Sequence, residues 1–228
     1  MQISGILYLL MALLSLLFYK LIFKLNKKSF FKSLNIRKLS IKLSLLLVLF
    51  TIIFSIFDLT LINLIYPMFP GYARVNETIT GITQNFSGIL AAVIIAAVFE
   101  EILFRGLVFK ELSKGMNISA AIILQALFFG LAHGNKLQFI YAFYGGIILG
   151  LIYYWTNSLA APILVHFLSN LLGGVVLRRV LYYSSFMIYV YLIAGGVLSI
   201  LLLIYIYKNK PQKPISFIEE SSSVERCQ

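Results

Sequence analysis

The chain has 228 residues, of which 61% are hydrophobic and 12% are charged, and its formal net charge is +11. A soluble domain of this length would carry about twice that charged fraction, so the composition excludes a soluble globular protein and predicts an integral membrane protein with a single domain. The net charge does not indicate nucleic-acid binding, because no fold in such an apolar chain would present the basic residues to a nucleic acid.

Seven apolar segments of spanning length, or close to it, follow one another along the chain. They cover residues 4–23, 43–66, 87–109, 118–134, 138–155, 159–177 and 181–207. The fourth segment is short enough to be a partial span. We therefore predict an all-α, polytopic transmembrane bundle of about seven helices over residues 1–207. The polar remainder, 208–228, is rich in proline, serine and charge and is predicted to be a disordered tail.

The distribution of basic residues predicts the orientation of the chain. Eight of the nineteen basic residues fall between Lys20 and Lys42, in the loop after the first segment. The positive-inside rule makes this loop cytoplasmic, where it also meets anionic headgroups. The stretch 67–86 is then external and the C-terminal tail is cytoplasmic. Arg178 and Arg179 are an exception, because the same count places them outside.

Three charges interrupt the third apolar segment, although each costs at least a few kcal/mol at membrane depth. Glu101 and Arg105 are four residues apart, so they can form an ion pair on one helix face. Glu100 projects about 100° away from Glu101 and is expected to face a cavity, where it could act as a general base.

Both histidines of the chain also lie in apolar segments. His133 ends the fourth segment, one helical turn after Phe129, and His166 precedes Asn170 by one turn in the sixth. Ideal parallel helices would leave His166 roughly 10 Å from the other polar groups, so their convergence on one site requires tilted helices or a short fourth helix. Asp58, isolated in the second segment, is interpreted as a partner for a buried cation.

Three short motifs occur in order in these segments: "EEILFR" fits EExxxR, "FGLAH" fits FxxxH, and "HFLSN" fits HxxxN. Their order and spacing resemble the family of CAAX proteases and bacteriocin-processing enzymes, intramembrane endopeptidases related to the Ras-converting endopeptidase. The resemblance covers about residues 87–177. It implies that Glu100 activates the hydrolytic water, that His133 helps to hold this water, and that His166 and Asn170 stabilise the oxyanion.

The remaining motif positions are interpreted as supporting residues, namely Glu101, Arg105 and Phe129. A metal-free reaction is favoured, because the chain lacks the HExxH pair of zinc proteases. Zinc stays open as an alternative, since Glu100, His133 and His166 are ligand types that it accepts.

The function predicted from these residues is endopeptidase action on a membrane-associated peptide or protein, in bacterial peptide maturation or bacteriocin self-immunity. The alternative is a non-catalytic membrane protein of immunity or regulation that binds a toxin or a sensor kinase. A transporter is disfavoured, because the two halves show no inverted repeat. The spacings Gly146 to Gly150 and Ala92 to Ala96 are interpreted as sites of close helix packing.

Overall fold

The computed structural model describes residues 34–181 and 183–210, together with Leu17, and every regular element within these residues is helical. The helices are α1 (Ile41–Ile65), α2 (Tyr72–Ile82), α3 (Phe86–Gly115), α4 (Ile118–Leu131), α5 (Lys136–Thr156), α6 (Ala160–Val180) and α7 (Ser185–Lys208). Five of them, α1, α3, α5, α6 and α7, are long and apolar enough to cross a membrane.

The predicted fold class, a polytopic helical membrane bundle, is confirmed by these spans. The predicted first segment, 4–23, lies outside the described residues, as do most of the basic loop that follows it and residues 211–228 of the predicted tail. The orientation of the bundle in the membrane stays a prediction.

Polar side chains begin several of the helices by accepting hydrogen bonds from their first backbone amides. Ser40 accepts from the amide of Leu43 before α1, and Asn117 accepts from the amide of Ala120 before α4. Asn135 does the same for α5. Such caps satisfy amides that have no partner within the helix. The caps explain why α1, α4 and α5 each begin directly after a single serine or asparagine in an otherwise apolar stretch.

Helix α4 is shorter than a full span. Its 14 residues extend roughly 21 Å at 1.5 Å per residue, whereas a span needs about 20 residues. It ends before His133, which lies in a tight turn that Gly134 closes with a φ of 65°. Because α4 is short, His133 lies at the cavity and not beyond it. A short fourth helix is one of the two ways in which the polar groups were expected to converge.

The packing of α4 against α5 depends on two glycines. A Cβ atom on Gly146 would lie 3.0 Å from the Cβ of Ala126, and one on Gly150 would lie 2.8 Å from Nε2 of Gln125. The interpretation of these glycines as packing residues is thus confirmed. Ala92 and Ala96 of α3 line a cavity, and their interpretation as packing residues stays a prediction.

Helix α2 corrects the sequence analysis, which treated residues 67–86 as a polar connection. Its apolar residues recur at helical spacing, and Tyr72 at its start is buried. The guanidinium of Arg178 donates to the side chain of Asn76, and Nη2 of Arg179 donates to the carbonyl of Thr83 at 3.4 Å. The two arginines that contradict the positive-inside rule therefore fasten α2 and its end to the C-terminal part of α6.

Candidate active site

A cavity of about 430 Å³ lies among helices α1 to α6. Most of its wall is apolar. All four residues predicted to be catalytic line it: Glu100, His133, His166 and Asn170. The spans α3 and α6, which are partly π-helical, and the turn after the short α4 thus bring together groups that are up to 70 residues apart in the chain.

Glu101 and Arg105 form an ion pair that is completely buried behind the cavity wall. Nη1 of Arg105 lies 2.7 Å from Oε1 of Glu101, and both side chains are 0% exposed. Nη2 of Arg105 also donates to the carbonyl of Gly146 at 3.1 Å. The pair therefore fixes α3 against α5, and neither residue lines the cavity.

His166 contacts both glutamates. Its Nδ1 lies 2.8 Å from Oε1 of Glu101, and its Nε2 lies 3.7 Å from Oε2 of Glu100. Because a carboxylate only accepts, Nδ1 of the ring carries the hydrogen in this contact. The imidazole is thus oriented with Nε2 towards Glu100. The separation of 3.7 Å is too long for a direct hydrogen bond but keeps the two groups close enough for a charge interaction.

The contact of His166 with Glu101 was missed by the sequence analysis, which assigned Glu101 to Arg105 alone. Oε1 of Glu101 accepts from both partners. The residues are 65 positions apart on different helices, so no spacing rule indicates their contact. The signal in the sequence was only the presence of a second intramembrane histidine.

Phe129 lies at the centre of this group of side chains. Its ring packs edge-to-face against His133 at 5.0 Å and against His166 at 5.8 Å between centroids. The guanidinium carbon of Arg105 lies 4.6 Å above the same ring. Both imidazoles and the buried cation are therefore held by one aromatic side chain.

His133 has a defined tautomer in its neutral form. Nδ1 lies 2.8 Å from the carbonyl oxygen of Phe129, and since that oxygen only accepts, Nδ1 carries the hydrogen and Nε2 is left as an acceptor. Asn170 donates from Nδ2 to the carbonyl of Ala92 at 3.2 Å. One of its two amide hydrogens is therefore used to join α6 to α3.

Asp58 corrects another expectation. The sequence analysis gave it a buried cation as partner, but its carboxylate accepts a hydrogen bond from the hydroxyl of Tyr144. Both residues line the cavity, together with Tyr141. This second polar group was not predicted, because the tyrosines of α5 carry no motif.

Within the part of the chain that the structure describes, no group of three or more His, Cys, Asp or Glu side chains is arranged to hold a metal ion. The metal-free reaction stays a prediction, with zinc as its alternative, and we derive no step through a metal.

The geometry defines a polytopic membrane protein whose polar residues converge on one intramembrane cavity. Residues 82–172, which carry Glu100, His133, His166 and Asn170, match the family described as Type II CAAX prenyl endopeptidase Rce1-like. The match covers less than half of the chain, and the resemblance indicated by the three motifs is confirmed.

The chain is also similar to the membrane-embedded CAAX protease MroQ of Staphylococcus aureus (strain USA300). The two are 43% identical over 95 residues, which cover 39% of this chain and 37% of that protein. The aligned region is therefore well under half of either protein. No solved structure gives a significant match.

Proposed function

We propose that this protein is an intramembrane endopeptidase that hydrolyses a peptide bond of a membrane-associated peptide or protein, with Glu100 as the general base. The observation that carries the proposal is the contact of one imidazole, His166, with both Glu100 and the buried Glu101 at the wall of a cavity within the membrane spans. The match of this segment to a CAAX protease family supports it.

The proposed reaction uses groups on this chain alone. Glu100 takes a proton from a water that His133 helps to hold, and the resulting hydroxide attacks the scissile carbonyl carbon. Negative charge then develops on the carbonyl oxygen. Nε2 of a protonated His166 and the second amide hydrogen of Asn170 can donate to it. Glu100 returns its proton to the leaving nitrogen as the C–N bond breaks.

Several features of the wall favour such a reaction over a purely structural role. Glu101 and Arg105 hold His166 and α5 without entering the cavity, so the buried ion pair is separate from the groups that would act on a peptide. The wall around those groups is mostly apolar, as suits a membrane-associated peptide. The relative MroQ is itself named a CAAX protease, and we extend that activity to this chain as part of the proposal.

The biological role that we propose is maturation of a bacterial peptide or self-immunity to a bacteriocin. The experiment compares membranes that contain the wild-type protein with membranes that contain Glu100→Gln, at equal expression. Mass spectrometry of released and membrane-bound peptides should find cleaved species that require the wild-type protein. Identical peptide profiles would contradict the proposal and favour the alternative, a non-catalytic partner that binds a toxin or a sensor kinase.

A further inference from the structure

Asp58 is an acidic residue in a transmembrane helix, and no basic side chain among the described residues is paired with it. It lies on α1 and lines the cavity, and its hydrogen bond comes from the neutral hydroxyl of Tyr144. Among residues 34–181 and 183–210, no lysine, arginine or histidine forms an ion pair with it. An acid at this depth is costly unless it is neutral or paired, and a bound ligand is one source of a cation that could pair with it.

The contrast with other charges near the cavity is clear. Glu101 has Arg105 as its counter-ion, and Glu100 has His166 within 3.7 Å. Arg178, which also lines the cavity, donates instead to Asn76 and to the backbone. The cation of the cavity wall is thus used to fasten α2 rather than to balance Asp58.

Three aromatic side chains line the cavity wall near Asp58, namely Phe54, Tyr141 and Tyr144. Phe54 precedes Asp58 by one turn of α1, and its ring packs edge-to-face against Tyr144 at 6.2 Å. Tyr141 lies one turn before Tyr144 on α5, and all four residues line the cavity. A carboxylate with aromatic side chains near it can bind an ammonium or guanidinium group through an ion pair, and nearby rings can add cation–π contacts.

We propose that Asp58, with Phe54, Tyr141 and Tyr144, forms a subsite for the lysine or arginine side chain of a peptide substrate. The inference rests on the proposed function, because it takes the cavity to be the place where the peptide lies during hydrolysis. Glu100 and Asp58 line the same cavity. The subsite therefore selects peptides in which a basic residue stands at a fixed number of positions from the scissile bond.

The test separates recognition from hydrolysis by measuring binding to the full-length Glu100→Gln protein in a neutral detergent. The probes are fluorescent apolar nonapeptides, acetylated and amidated at their ends, each with lysine or norleucine at one position. At one of the scanned positions, we expect the lysine peptide to bind roughly tenfold more tightly than the norleucine peptide. Adding Asp58→Asn, which still accepts from Tyr144, should remove this preference. The matched control Glu77→Gln, an exposed acid on α2, should retain it.

Two further arms of the test examine the aromatic rings and the source of the ammonium group. Phe54→Leu keeps the carboxylate and should reduce the preference for lysine about threefold, because it removes one aromatic ring. If Asp58→Asn does not fold, this variant replaces it as the test of the subsite. A norleucine peptide with a free N-terminus offers an ammonium group that is not on a side chain. The subsite is refuted if lysine gives no preference at any position, if Asp58→Asn retains the preference, or if the free N-terminus binds as tightly as lysine.

The same peptides distinguish failure of this inference from failure of the proposed function. If the wild-type protein cleaves none of them but the lysine preference in binding depends on Asp58, the subsite stands and the peptidase proposal fails for these peptides. If the wild-type protein cleaves lysine and norleucine peptides at equal rates and binds them equally, the peptidase proposal stands and the subsite fails.

Discussion

Glu101 is the residue on which the geometry of the site depends, although it does not reach the cavity. One of its oxygens accepts from Arg105 and from His166, and its other oxygen is buried without a hydrogen-bond partner among the described residues. A buried carboxylate held by two donors fixes the direction of each. At the scale of single residues, the site therefore has two parts. The inner pair, Glu101 and Arg105, orients His166. The residues that face the cavity are Glu100, His133, His166 and Asn170.

Removal of the buried cation should destabilise the protein. We expect Arg105→Ala to lower the free energy of unfolding by about 3–5 kcal/mol, because it leaves Glu101 without its counter-ion. Unfolding in mixed micelles measures this loss. The double variant Glu101→Gln with Arg105→Gln should recover part of it. The control is Lys114→Ala, which breaks the exposed pair with Glu111 and should cost less than about 1 kcal/mol. Equal losses for Arg105→Ala and Lys114→Ala would contradict the assignment.

The two histidines should differ in what they contribute to stability. His166→Ala removes a partner of the buried Glu101, whereas His133→Ala removes a hydrogen bond to a backbone carbonyl in a turn. Both variants should lose about 100-fold or more in peptidase rate. His166→Ala should in addition lose about 1–3 kcal/mol of stability, measured by the same unfolding assay. If His133→Ala is the less stable variant, our description of the inner pair is wrong.

At the scale of elements, the sequence predicted the spans well and the connections poorly. The apolar runs identify α1, α3, α5, α6 and α7, since a bilayer requires long uninterrupted hydrophobic segments. Helix α2 was missed because only one face of it is apolar, and its average hydropathy is therefore that of a loop. Contacts such as that of Arg178 with Asn76 join residues that are 102 positions apart, a separation that no local pattern reveals.

The contact of α4 with α5 should tolerate no side chain at Gly146. We expect Gly146→Ala to cost about 1–3 kcal/mol of stability, because its Cβ would press on Ala126 and displace a carbonyl that accepts from Arg105. The neighbouring variant Gly145→Ala is the matched control, since its Cβ meets no atom within 4 Å. Thermal unfolding of both variants is the measurement. A Gly146→Ala protein as stable as the control would show that this packing is loose.

At the scale of the whole molecule, the bundle places a largely apolar cavity where a membrane peptide could enter. The sequence predicted which polar residues would meet at one cavity, because charges and histidines at membrane depth are rare and costly. It did not reveal that His166 lies between Glu100 and Glu101, because this contact depends on how α3 and α6 pack against each other. The cytoplasmic location of the tail after Lys208 stays a prediction of the positive-inside rule.

The proposed reaction should not require a metal ion. Because it assigns every step to side chains of this chain, we expect the rate of peptide cleavage by the purified protein to stay the same after treatment with a membrane-permeant zinc chelator. A zinc peptidase of known sensitivity, assayed in the same detergent, is the positive control. A loss of activity that zinc restores would overturn the metal-free reaction.

The central claim is that Glu100 is the base in hydrolysis, and the most direct measurement is the value of kcat/KM for one cleaved peptide with three purified proteins. Wild type and Glu111→Gln, which changes an exposed acid at the end of α3, should cleave it at similar rates. Glu100→Gln should elute and unfold like the wild type and yet lose at least about 100-fold in kcat/KM. A correctly folded Glu100→Gln protein that retains most of the wild-type value would contradict the account.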